Sequence, residues 1–299
     1  MVQDFRYLGA HLSAGNSSTS STLDKRWEKA QRQLKKLRYA PATNEAKVKA
    51  IHAKVYASAM YGIEAAAVTP AKIAKMAAIV IDVFRPRNNN HNADRFFTTL
   101  TTDDKDIDPV VEILARRVMQ IRRTACKEKR MGAKFKDLLH MYAVRHSGDG
   151  KWPQWYQPAD ANEPSTIQRP KTFPCEQPHP TTKQHDIGWN DQIDPMGPVG
   201  LLVEAAVWNG LVIDYDLRLW QESEEPIDIL RTPYQGLKVA VKAMASRART
   251  VAEWRRDSSK KIQVKEIDRE ASQLNTRLTE QEKGIVSTAM MGVLKPSKI

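Results

Sequence analysis

Cysteine is almost missing from this chain: there are two in 299 residues. That excludes a disulfide framework, because one bridge would constrain little of a chain this long. Cys126, beside Arg123 and Lys127, and Cys175, in a proline-rich stretch, read as reduced thiols of an intracellular protein, cytoplasmic or nuclear. Long apolar runs are missing too. The most apolar stretch, Val199 to Trp208, is interrupted by Glu204 and is too short to cross a bilayer. Met1 to Arg6 has no basic cap followed by an apolar segment, so no secretory signal is read there and no membrane partner is expected. Aromatic residues make up only 7%, and 35 acidic residues face 47 Lys and Arg.

What remains is a basic chain of net charge +12 and pI near 9.6. Its 41% hydrophobic residues are enough to bury a core, though not along the whole length. The length suggests about two domains. Excess positive charge favours an anionic partner, of which nucleic acid is the commonest, rather than a small-molecule substrate.

Residues 1–22 read as a short strand, Phe5 to Gly9, followed by a Ser-, Gly- and Asn-rich loop. Residues 23–146 read as helices. Ser21 and Asp24 resemble a capping box, and Leu23, Trp27, Ala30, Leu34 and Leu37 recur at the spacing of one buried helix face until Pro41. Thr43 opens a second helix with Val48, Ile51, Val55 and Ala59 on its apolar side and Gly62 near its end. Thr69-Pro70 and Asp108-Pro109 are cap-plus-proline starts of two more. Phe135, Leu138, Leu139 and Tyr142 suggest a fifth.

Residues 147–198 hold nine of the 16 prolines and read as an irregular linker, partly disordered. Residues 199–299 read as a second, small helical region. There Leu237, Val241, Met244, Ala248 and Val251 form one stripe, and Ile267, Ala271, Leu274 and Leu278 another. The expected fold is therefore mainly α: a helical bundle after a short N-terminal strand, an irregular linker, and further helices.

The first helix is the strongest functional candidate. Lys25, Arg26, Lys29, Arg32, Lys35, Lys36 and Arg38 fill most positions off its apolar stripe. Such a face supplies phosphate contacts, which position a nucleic acid without reading its sequence. The alternative is a face that is merely solvated. A second basic cluster includes Arg116, Arg117, Arg122, Arg123, Lys127, Lys129 and Arg130. Its six-residue steps spread it around the helix, so only part of it, with Arg116, Arg122 and Arg123 as candidates, can face one ligand. Trp27 and Tyr39 have rings able to stack on bases, although Trp27 belongs to the apolar stripe.

No metal site is expected. Cys175, His179, His185 and Asp186 fit no usual zinc spacing. Thr102-Asp103-Asp104 reads as a solvated acidic loop, and Gly148-Asp149-Gly150 as a turn without the Gly-Lys-Ser/Thr of a phosphate loop.

Phe5-Arg6-Tyr7-Leu8-Gly9-Ala10, then the basic helix, then Lys47, Ile51, Val55, Tyr61, Gly62 and Glu64 form an ordered set. This set resembles the Y-L-G segment, basic helix and K-x-x-x-I…V…YG-x-E helix of non-LTR (LINE-type) retrotransposon reverse transcriptases. The resemblance covers roughly Asp4 to Val144. It implies that Phe5 to His11 is the tail of the polymerase palm, leaving residues 1–22 as a palm remnant, and that residues 23–146 are a thumb-like domain.

The family's polymerase uses Mg ions on paired carboxylates upstream of the Y-L-G segment. Those ligands are absent from this sequence, so the chain is expected to need no cofactor, to carry no catalytic residue, and to be inactive alone. A Cys/His knuckle, found in many members, is absent too. The expectation is a non-catalytic fragment that grips RNA or DNA, as a template–primer duplex, with basic helices. A helical protein–protein scaffold, motivated by the stripes at Leu237–Val251 and Ile267–Leu278, and a decayed retroelement product without function stand as alternatives. The sequence does not specify an oligomeric state.

Overall fold

The computed structural model of the chain describes residues 4–7, 10–13, 21–84, 93, 96–97, 107–128, 130–147, 197–214, 216–221 and 224–257. Expectations for the linker over 148–196, the acidic Asp103-Asp104 loop, Cys175 and its neighbours, and the stripes beyond 257 lie outside the described residues. Most of the described residues are helical, as the periodicity predicts. Among them no helix is long and apolar enough to cross a membrane.

Strand β1 (Asp4–Tyr7) pairs antiparallel with β2 (Ala10–Ser13), with Phe5 opposite Leu12. The first strand was expected and its partner was not. Helix α1 (Ser21–Arg38) buries Leu23, Trp27, Ala30 and Leu34, the anticipated stripe. It packs against α4 (Pro70–Phe84) and against α3 (Ala57–Ala59).

The second predicted helix is three segments in sequence. These are α2 (Asn44–Ala50), a π-helical stretch (Ile51–Tyr56) and α3. Thr43 caps α2 by accepting a hydrogen bond from the Ala46 N–H at 3.3 Å. The wider π turn places Ile51, Val55 and Tyr56 together in the core. The Tyr56 hydroxyl donates to the Ile107 carbonyl at 2.5 Å, tying this stretch to the segment just ahead of Pro109.

Helix α5 (Pro109–Lys127) is the central element. Asp108 caps it, accepting from the Val110 N–H at 3.0 Å. It packs against α6 (Met131–Ser147), α7 (Gly197–Trp208) and α8 (Tyr234–Asp257). In α6, Phe135 and Leu139 are buried, but Leu138, read as part of the same stripe, is 48% exposed. At about 100° per residue Phe135 and Leu139 sit about 40° apart, whereas Leu138 lies about 100° round from Leu139 and falls at the edge of the buried arc.

α7 is apolar on nearly all sides. A helix of that kind belongs in an interior, and Val199 to Val207 are buried except for Glu204. It ends in a Schellman turn. Gly210 takes a φ of 69°, its N–H reaches the Val207 carbonyl, and the Leu211 N–H reaches the Ala206 carbonyl, both at 2.9 Å.

Between α7 and α8 lies an antiparallel sheet in the order β3 (Val212–Ile213), β4 (Arg218–Trp220) and β5 (Ile227–Asp228), where only helix was anticipated. Strands of two or three residues are too short to show a period. Asp214 organises the β3–β4 turn. It accepts from the Asp216 and Arg218 N–H groups at 2.9 Å and from the Trp220 indole N–H at 2.8 Å. Leu217, buried in that turn, sits at a φ of 60°.

The helices on either side of residues 148–196 share one apolar core, continuous from Leu23 in α1 to Ala248 in α8. The α8 stripe of Leu237, Val241, Met244 and Ala248 is buried within the chain, where α8 packs on α5.

Candidate nucleic-acid interface

Helix α1 turns about 100° per residue. Steps of four, three and four therefore put Lys25, Lys29, Arg32 and Lys36 within an arc of about 60°, in a row about 16 Å long. Leu23, Trp27, Ala30 and Leu34 lie on the opposite side and are buried. The four cations are exposed, as is Lys35 on the flank of the row. None of these five side chains takes part in a hydrogen bond or ion pair among the described residues. Glu28 is the exposed acid on this face, and Asp24 is engaged by Lys72 at 2.6 Å.

The two arginines at the edges are held differently. The Arg26 guanidinium donates to the Tyr61 carbonyl at 2.8 Å and lies 4.9 Å from the centroid of the Tyr61 ring. The Arg38 guanidinium lies 5.7 Å from the Tyr39 ring. Lys47 reaches the carbonyls of Arg38 and Val83 at 3.5 and 3.4 Å, so its ammonium meets the negative ends of α1 and α4 together.

These contacts explain much of the ordered set of residues noted above. Lys47 ties two helix ends together, Ile51 and Val55 fill the core, and Gly62 takes a φ of 86° where the chain turns away after α3. Burial pulls the pKa of the Arg117 guanidinium down, and Glu64 adds to the opposing pull of Glu204. Trp27 is core, not a stacking ring.

The candidates on α5 are tied into the packing of the chain. Arg116 donates to Glu112 at 3.0 Å. Arg122 is half-buried, and its Nε has no acceptor. Arg123 is exposed and donates to the Tyr234 hydroxyl at 2.7 Å. The structure thus gathers the α1 candidates into one surface and holds Arg116, Arg122 and Arg123 on a helix packed among α4, α6, α7 and α8. Arg117, spread by the same six-residue steps, is fully buried. It donates to the Leu201 carbonyl at 2.6 Å and to Glu204 at 3.2 Å, and its other nitrogens lie within 3.5 Å of the Ile63 and Ala66 carbonyls.

Burial and ion pairing compete around α5. Burial pushes the Glu204 carboxyl up to about 7 although Arg117 pulls the other way. Burial also opposes ionisation of Glu112, but Lys242, Lys238 and Arg116 together outweigh it and hold that carboxyl at about 2. No group of three His, Cys, Asp or Glu among the described residues is placed to hold a metal ion.

Sequence reasoning missed Tyr61 as a surface ring, because its neighbour Arg26 lies 35 residues earlier. No periodicity reports a contact that depends on the turn at Gly62. No family model, no curated protein and no solved structure matches the chain.

Proposed function

We propose that this protein binds the sugar-phosphate backbone of nucleic acid, without catalysis, through the exposed cation row of α1. One observation carries the reading. Among the described residues, four cations on one arc and a fifth beside it have no acidic partner, while other basic side chains, such as Arg116, Lys136, Lys242 and Arg249, are paired with carboxylates. A charged side chain left without a counter-ion gains most from a polyanion, because phosphate contacts release condensed counter-ions. The resemblance to the thumb of a non-LTR reverse transcriptase agrees with this reading through the order of its motifs. On that reading the region grips a strand and adds no nucleotides.

Anisotropy titration of the full chain with a labelled oligonucleotide tests it. Micromolar or tighter binding should weaken steeply with salt, with a log–log slope of about −3 to −4 if four contacts form on duplex. Absence of binding at low salt sinks the proposal.

A further inference from the structure

The cation row is bordered by two exposed aromatic rings. Tyr39 is 74% exposed, and Tyr61 is 47% exposed. Each has an arginine guanidinium against its ring, Arg38 in one case and Arg26 in the other. Tyr39 stays attached to the end of α1, its N–H donating to the Lys36 carbonyl at 3.1 Å. Continuing the helical spacing places it on the side of Arg32 and Lys36. Tyr61 is fixed to the N-terminal half of α1 by the Arg26 bond to its carbonyl. The rings therefore stand towards opposite ends of the row, and neither fills the core.

We infer that α1 tracks an unpaired nucleic-acid strand, whose phosphates follow Lys25, Lys29, Arg32 and Lys36 while unstacked bases lie on Tyr39 and Tyr61. The inference rests on the nucleic-acid reading above and narrows it to one class of ligand. In a closed duplex the faces of the bases are covered by their neighbours, so an aromatic ring outside the helix finds no face to meet. An unpaired strand offers faces and phosphates together. A row of cations flanked by aromatic rings matches that combination. The arginines strengthen it, because a guanidinium plane stacks on bases as well as on tyrosine. Stacking is sequence-tolerant, so the binding is broad in base preference.

The experiment uses the full chain and three labelled probes: a single-stranded DNA of mixed sequence, the same sequence as RNA, and the blunt DNA duplex. A second single strand carries 2-aminopurine, whose emission falls on stacking. The single strands should bind about tenfold more tightly than the duplex, with any RNA–DNA difference reporting the 2′-hydroxyl. Tyr39→Ala and Tyr61→Ala should each weaken single-strand binding about tenfold and reduce 2-aminopurine quenching, with the salt slope unchanged.

Tyr39→Phe and Tyr61→Phe should keep wild-type affinity, and urea midpoints confirm that each variant is folded. The inference is overturned if the duplex binds as tightly as the single strand. It is equally overturned if both alanine variants stay within twofold of wild type while Arg32→Ala/Lys36→Ala weakens every probe; the electrostatic reading then stands without stacking. Failure of all three probes to bind overturns both.

Discussion

The ammonium of Lys242 on α8 lies 2.6 Å from the carboxylate of Glu112 on α5, with the two side chains only 6% and 2% exposed. Seven residues further along α8, Arg249 pairs with Asp108, four residues before Glu112 at the N-cap of α5. The two pairs run in opposite directions along the two helices, so they fix an antiparallel register. A slip of one turn would strand four charges in the interior. Removing one partner leaves the other uncompensated, which is more damaging than losing the pair. Glu112→Gln should therefore destabilise the chain by about 3 kcal/mol or more. The double variant Glu112→Leu/Lys242→Met should recover most of that loss, as read by urea denaturation.

Two carboxyls on this part of the chain titrate in opposite senses. The unfolded Glu204 carboxyl ionises near its ordinary value of 4.5 and the folded one near 7. Between those values the folded chain holds a proton that the unfolded chain has released, so stability falls as pH rises from about 4.5 to 7, by up to about 3 kcal/mol. Glu204→Gln should flatten this slope. An unchanged slope in the variant would assign the pH dependence to another group.

For Glu112 the folded value is about 2 against an ordinary 4.5. Its contribution is complete above 4.5 and is lost as pH falls towards 2. Together the two groups place the stability maximum in mildly acidic solution. Denaturation midpoints from pH 2 to 8 would locate it.

Tyr56 closes a buried bond to the Ile107 carbonyl. Tyr56→Phe keeps the ring and leaves that carbonyl without its donor, at a cost of about 1–3 kcal/mol. A thermal midpoint equal to wild type would mean that another donor replaces the hydroxyl.

Gly62 occupies the left-handed region at a φ of 86°. A side chain there is strained, so Gly62→Ala should lose about 1–2 kcal/mol. It should also change the setting of Tyr61 against Arg26, and binding of single strands should weaken in parallel.

Helical repeats were legible wherever they ran for several turns. Leu23, Trp27, Ala30 and Leu34, and Leu237, Val241, Met244 and Ala248, are buried as their spacing requires. Caps at Thr43 and Asp108 were legible for the same reason, since a cap is a local bond. The three-stranded sheet was not, because its strands are held by the Asp214 turn and by pairing across it, with no run long enough to alternate.

In the candidate interface, the exposure of the α1 row follows from the helix alone and was visible in the sequence. Arg116 looked equivalent, but the ion pair with Glu112 belongs to a cluster completed by Lys242 from α8. Tertiary neutralisation of that kind leaves no local mark in the chain.

The placement of the α1 row opposite the core has one further consequence. The side chains of Lys25, Lys29, Arg32 and Lys36 are exposed on the side of the helix away from its buried stripe, so the helix is a keypad whose keys can be swapped or inverted in sign one at a time. On the proposed function, affinity for a polyanion would be set independently of folding, open to gradual tuning by substitution or by chemical masking of lysine amines.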